Sequence, residues 1–418
     1  MGEVLCEGRT QTAGVCGVKP RQVEPDMPRQ THSFADPVLV TDTAALDALC
    51  IRLRAEPYVT IDTEFMRERT YFPELCVVQL AGVSDVAVID AQAEGMDLAP
   101  LAALLADTAV VKVFHAARQD VEIFLYLFGQ VPAPIFDTQV AAMVAGFGDQ
   151  VGYDSLVSSL TGGHIDKAHR FSDWSARPLS AAQVTYAAAD VTYLRGVYER
   201  LRERLARDGR AEWVAEEMAV LAQPETYRPD PEGIWERLRP RTGNRRMLGM
   251  LQAAAAWRER EAQRVNIPRG RLLKDESLLE LAATAPVTAE ALSRVRGVSR
   301  GFAEGKSAAG LLAALQGAAA LPEDALPEAA GRGDGPRASP ALVSLLKVLL
   351  AAKCEAHNVA PKLLANGADL DRLASEDEPD VPALHGWRRD VFGADALLLK
   401  SGGITLGVDG KRIKLVRV

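Results

Sequence analysis

Between residues 58 and 90 three short β-rich runs follow one another: 58–65, Leu75–Ala81 and Val86–Asp90. Val59 and Ile61 are β-branched, and Gly82–Asp85 reads as the turn between the last two runs. Three successive strands with only short connections favour an antiparallel meander. What comes next breaks that pattern. Leu98–Leu105 has helical spacing, Val110–Phe114 is a buried strand, and Arg118–Phe128 is a helix stopped by Gly129. Ile135–Phe136 is short, Asp137 reads as the N-cap of a helix reaching Val144, Asp154–Leu160 is helical, and Ala181–Arg207 is one long helix. Upstream, Pro37–Thr41 is a short strand, and Thr43 reads as the cap of a helix running to Arg54. A mixed sheet followed by helices is an α/β arrangement.

The first strand carries the chemistry. Asp62 and Glu64 lie two residues apart, so a strand presents both carboxylates on one face. Paired acids on an apolar strand repel each other and resist losing water, which a hard divalent cation between them relieves. The competing reading is a strand end with two solvated acids. Asp120 falls in the first turn of a helix, where the dipole favours a carboxylate whatever its role. Asp190 sits in the long helix four residues after Tyr186, so the two share a face. Ala187, Ala188 and Ala189 leave room beside Asp190 for something bulky; alternatively Tyr186 is a core tyrosine and the acid is unrelated to it. His115 ends a strand five residues before Asp120, and without partners at ligand spacing it reads as a structural histidine. Phe65 suits stacking on a terminal base and suits core packing equally well.

Taken in order, Asp62-Thr63-Glu64-Phe65, His115–Asp120 and Tyr186–Asp190 resemble the three exonuclease motifs of the DEDD superfamily, tyrosine branch. The stretches DTEFMRERTYFPELCVVQLAG (62–82), SDWSARPLSAAQVTYAAADVTYL (172–194) and VNIPRGRLLKDESLLELA (265–282) resemble the ribonuclease D family more closely still, and the likeness runs from about residue 37 to about 400. It implies a ribonuclease H-like mixed-sheet exonuclease domain followed by two all-α helical-bundle domains of the HRDC type. The implied catalytic set is Asp62, Glu64, Asp120, Tyr186 and Asp190, with the four acids as metal ligands. Two divalent cations roughly 4 Å apart clamp both oxygens of an in-line phosphoryl displacement, and an all-oxygen ligand set favours Mg²⁺ or Mn²⁺. Tyr186 is expected to orient the attacking water first and to move its proton second, because a free tyrosine has a pKa of about 10.

The expected organisation is a disordered extension over 1–36, an exonuclease domain over 37–210, HRDC domain 1 over 230–320, an HRDC-like domain 2 over 341–400, and a tail over 401–418. A start at Met27 would remove most of the extension. Residues 322–340, rich in proline, glycine and acid, read as a linker, and Arg412–Val418 alternates basic and apolar residues like an edge strand.

Charge separates the parts. The whole chain is -8, yet residues 237–306 hold 15 Lys and Arg against 7 Asp and Glu, a net of +8, so the remainder is -16. A basic module on an acidic chain points to phosphate contact, against the plainer reading of a solvated charged face. Arg245, Arg246, Arg269, Arg271 and Lys274 are the candidates for contacting nucleic acid. Five scattered cysteines without a CxxC pair, and no apolar run of membrane-spanning length, fit a reduced cytoplasmic protein. The resemblance then implies a monomeric 3′-5′ exoribonuclease that releases nucleoside 5′-monophosphates from RNA with a single-stranded 3′ end, such as tRNA precursors. A DNA exonuclease of the same fold, or a non-catalytic RNA-binding protein, are the alternatives; absence of any of the four acids would have favoured the second.

Overall fold

The computed structural model describes residues 36–328 and 338–418, apart from positions 167 and 171. The expected N-terminal extension and the middle of the expected linker lie outside the described residues.

Six strands form one mixed sheet: β1 (Val38–Val40), β2 (Tyr58–Met66), β3 (Glu74–Ala81), β4 (Val86–Asp90), β5 (Val111–Phe114) and β6 (Ile135–Asp137), in the order β1-β4-β3-β2-β5-β6. The β2-β3-β4 meander is antiparallel. The outer pairings β1 with β4, β2 with β5, and β5 with β6 are parallel. Strand β2 is therefore central, buried by neighbours on both sides. The helices of this part are α1 (Thr43–Leu53), α2 (Ala99–Ala106), α3 (Arg118–Phe128), α4 (Thr138–Val144), α5 (Tyr153–Thr161), α6 (Ala181–Arg207) and α7 (Ala211–Leu221).

Local chemistry explains most of their ends. Helix α6 opens on a capping box in which Ser180 and Gln183 satisfy each other's backbone. Helix α3 stops at Gly129, whose φ of 73° is open to glycine without a Cβ penalty. Asp137 caps α4 through the amides of Gln139 and Val140, and it also accepts from Ala116 and Ala117. The cap of α1 is Asp42, which accepts from the Ala45 amide; Thr43 is already inside the helix and donates its hydroxyl to the Gly95 carbonyl.

A second core is helical. It comprises α8 (Arg245–Arg264), α9 (Arg269–Leu272), α10 (Asp275–Thr284), α11 (Ala289–Ser293), α12 (Arg300–Ala303) and α13 (Lys306–Ala320), with Ile234 and Trp235 from the preceding segment. The start of the expected linker is tied to α8: Leu326 is buried beside Gly249, and Arg245 donates to the Asp324 and Leu326 carbonyls.

The third core is built from α14 (Pro340–His357), α15 (Pro361–Leu364), α16 (Gly367–Ser375), α17 (Gly386–Arg388) and α18 (Ala394–Ser401), with a π-turn at Arg389–Gly393. The residues expected to form a tail make a hairpin instead, β7 (Ile404–Asp409) with β8 (Arg412–Arg417). Ile404 is buried in the third core, which ties the hairpin down.

Helix α7 faces two cores at once. Val214 and Met218 lie in the first, while Trp213 stacks on Trp387 of the third at 4.7 Å. The buried carboxylate of Glu217 accepts from Trp387 Nε1 at 2.9 Å and Arg388 Nη2 at 2.6 Å. Removing one partner of such a pair costs about 3–5 kcal/mol. Among the described residues no helix is long and apolar enough to cross a membrane.

Candidate active site

The site forms where the C-terminal end of β2 meets α3 and α6. Asp62 and Glu64 project from one face of β2. On that face Thr60 donates to the Val191 carbonyl at 2.8 Å, pinning α6 to the strand one residue beyond Asp190. Two of the three alanines before Asp190 do not leave open space, while Ala189 is half-buried. Ala187 and Ala188 are buried against Val77, Ala81 and Val88, so their small size lets α6 lie close on the sheet. Beneath, the Tyr153 hydroxyl donates to the Asp190 carbonyl at 2.5 Å and fixes the helix turn that carries the acid.

This packing gathers three carboxylates. Oxygens of Asp62, Glu64 and Asp190 lie within 4.8 Å of one another, a donor set of oxygen alone that fits a hard divalent cation. Asp120 enters from the first turn of α3. Its Oδ1 accepts the hydroxyl of Thr63 at 2.5 Å, while its carboxyl is lifted by burial and then by Asp62. Asp120 adds to the same field.

Burial is the first cause that lifts all four carboxyls, and their mutual repulsion is the second for three of them. Glu64 is pushed up to about 9 by burial and by Asp62, Asp190 and Asp120. Asp190 is pushed up to about 7 by burial. Asp62 and Asp120 are held well above the usual carboxylate range, by burial and then by Asp190 and by Asp62 respectively. Four acids placed where each disfavours ionisation of the next are stabilised as anions by an added cation.

Tyr186 lies beside this group. Its hydroxyl is pushed above the usual tyrosine range by burial and then by Asp190, Glu64 and Asp62, with Arg170 acting in the opposite sense. Trp174 and His169 flank its ring, at centroid distances of 6.0 and 6.3 Å. His115 stands apart from the acids. Its Nδ1 meets the Thr138 hydroxyl at 3.0 Å, its ring tilts against Tyr153 at 5.3 Å, and burial lowers its pKa. Phe65 follows a register shift in β2 and is partly buried against the first core.

Several residues at the site escaped sequence reasoning. Thr63 looks like an ordinary strand former between two acids, and Tyr153 carries no motif. Gln79 lies directly across from Asp62 in the β2–β3 ladder and is fully buried, with no partner for either amide atom among the described residues.

The basic candidates divide into two groups. Arg245 is bound to the Leu326 carbonyl at 2.6 Å, and Arg246 to those of Leu321 at 2.7 Å and Ala319 at 3.1 Å. Arg269 is paired with the buried Glu259. Arg271 and Lys274 are exposed.

A sheet of this topology, with clustered carboxylates at the end of its central strand and a tyrosine beside them, defines the 3′-5′ exonuclease class. Residues 37–206 match the 3′-5′ exonuclease family, and residues 247–315 match the HRDC domain family. The chain is 71% identical over 392 residues to ribonuclease D of Granulibacter bethesdensis, covering 93% of this chain and 99% of that one. It is 69% identical to ribonuclease D of Gluconacetobacter diazotrophicus, covering 92% and 98%. Among solved structures it resembles Escherichia coli RNase D, described as an exoribonuclease involved in structured RNA processing, with a TM-score of 0.75, 31% identity, and coverage of 88% and 99%. The chain belongs to the ribonuclease D family. It is a 3′-5′ exoribonuclease, and the enzymes of its superfamily use divalent metals.

Proposed function

We propose that the chain hydrolyses RNA from a single-stranded 3′ end with two divalent cations, Mg²⁺ or Mn²⁺, and releases nucleoside 5′-monophosphates. The observation that carries this is the convergence of Asp62, Glu64 and Asp190 oxygens within 4.8 Å, with all four acids lifted by burial. Asp62, Glu64, Asp120 and Asp190 would hold the ions. Bound there, divalent cations supply Lewis acidity to the scissile phosphate and to the attacking and leaving oxygens. The chain's own residues do the rest. The Thr63 hydroxyl aims Asp120, the Tyr153 hydroxyl and Thr60 fix the α6 turn of Asp190, and Tyr186 orients the attacking water. A free tyrosine, with a pKa of about 10, is a poor base, so orientation of the water comes first and proton transfer second.

The substrate class we infer is a precursor of structured RNA, tRNA above all, acted on by a monomer in the cytoplasm. Of the basic candidates, Arg271 and Lys274 are exposed and suit contact with its phosphates. Matched RNA and DNA oligonucleotides, each with a free or a blocked 3′ end, test the reading together. Mononucleotides released from unblocked RNA alone support it; cleavage of blocked ends, or equal rates on DNA, would overturn it.

A further inference from the structure

The loop joining β2 to β3, residues 67–73, is gripped by the second core. The Tyr71 and Phe72 amides both donate to Asn266 Oδ1, at 3.1 and 3.0 Å. Asn266 sits between α8 and α9 with a φ of 51°, a conformation in which asparagine is among the better tolerated side chains. The buried Tyr71 hydroxyl donates to Glu259, which is fully buried on α8. Arg269 forks onto the same carboxylate, donates to the Tyr71 hydroxyl at 2.9 Å, and lies 4.8 Å from the centre of its ring. Gln263 completes the node with donors at 3.1 Å to Tyr71 and 3.2 Å to Glu259.

The other end of the loop is tied to α3. Arg67 forms a two-pronged pair with Glu122 at 2.8 and 2.9 Å, two residues beyond Asp120. Met66 and Glu74 are opposed at the mouth of the hairpin whose one arm carries Asp62 and Glu64. The loop therefore has two sets of anchors, one beside Asp120 and one on the helical core nearly two hundred residues away in sequence.

We propose that Asn266, with the Tyr71–Glu259–Arg269 node, is a positioning element for the exonuclease site: docking of the second core on the β2–β3 loop sets the placement of Asp62 and Glu64. Arg269 and Asn266 thereby act on catalysis from inside the interface rather than by touching RNA. The inference rests on the exonuclease reading and goes beyond it. Reacting groups tolerate little misplacement, and a shift of about 1 Å costs up to roughly a hundred-fold in rate.

The test uses the full chain and a short single-stranded oligoribonucleotide at saturating Mg²⁺. Asn266→Gly keeps the backbone conformation but removes the acceptor; Asn266→Asp keeps both. For Asn266→Gly, kcat is expected to fall about ten-fold with KM within about two-fold of wild type, and Asn266→Asp should restore kcat. In metal-free protein, amide hydrogen exchange over residues 59–73 should quicken in Asn266→Gly and not in Asn266→Asp. Tyr71→Phe, which keeps the ring, should give a smaller change in the same direction. A wild-type kcat in Asn266→Gly, a loss confined to KM, or a loss that Asn266→Asp shares would each overturn the proposal. An inactive wild type would instead defeat the exonuclease reading, while the exchange measurement still decides the positioning.

Discussion

The hydroxyl of Thr63 donates to Oδ1 of Asp120 at 2.5 Å, so the strand that presents Asp62 and Glu64 on one face holds Asp120 with the residue between them. One strand thereby reaches three of the four acids. The bond also opposes the burial that lifts the Asp120 carboxyl.

Thr63→Val keeps the β-branched shape and removes the donor. Asp120 loses its anchor and becomes easier to protonate, so the Mg²⁺ concentration for half-maximal activity should rise and kcat should fall by about ten-fold, close to 1.4 kcal/mol. Thr63→Ser should behave as wild type. A Mg²⁺ titration of both variants checks this.

The acids make stability depend on pH with a defined sign. Glu64 is lifted to about 9 and Asp190 to about 7 in the folded, metal-free protein, against roughly 4.3 and 3.9 for the free side chains. Between those limits the folded state binds more protons than the unfolded one, so stability contributed by these groups falls as pH rises through the window. Cations compete with those protons. Thermal unfolding in EDTA should give a midpoint that falls between pH 6 and pH 9, with the gain from added Mg²⁺ widening over the same range. A gain independent of pH would contradict the assignment.

Tyr186→Phe removes only a hydroxyl beside the carboxylates. Metal-dependent stabilisation should persist while kcat falls by at least about ten-fold if Tyr186 has the proposed role of orienting the reacting water. Calorimetric titration with Mn²⁺ alongside single-turnover kinetics separates the two effects.

The basic residues of the second core should divide by their partners. Arg245→Ala strips hydrogen bonds from buried segments around Leu326 and should cost about 1–3 kcal/mol in denaturant unfolding with little effect on the salt dependence of RNA binding. Replacing Arg271 and Lys274 together with Ala should leave stability within about 0.5 kcal/mol and reduce the slope of log K against log salt by about 1.4 on a single strand.

Much of the fold was legible because local pattern and tertiary role agree. The β2-β3-β4 meander, the long helix α6 and the Asp137 cap follow from alternation, spacing and capping chemistry. Helix α7 is hard to read because Trp213 packs against both the first and the third core while Val214 and Met218 lie in the first, which blurs a single apolar stripe. The closing hairpin is half legible: β8 has a clear alternation, whereas β7 is interrupted by Gly407. At the site, strand periodicity placed Asp62 and Glu64 on one face, but nothing in the sequence near Asp120 points to Thr63. Arg269 reads as a candidate for RNA because a guanidinium looks the same in sequence whether its partner is a carboxylate inside the fold or a phosphate outside it, and Asn266 carries no signal of its role. Their partners lie some two hundred residues away or on the facing side of a helix, beyond the reach of local reasoning.

The proposed function rests on Asp62, Glu64, Asp120 and Asp190 acting together through bound cations on RNA. Its most direct test is the rate of mononucleotide release from a 3′-tailed RNA by Asp190→Asn, measured with Mg²⁺ beside the wild type. A loss of at least about a hundred-fold, close to 3 kcal/mol of barrier, is expected in a protein that remains folded. Release at the wild-type rate would contradict it.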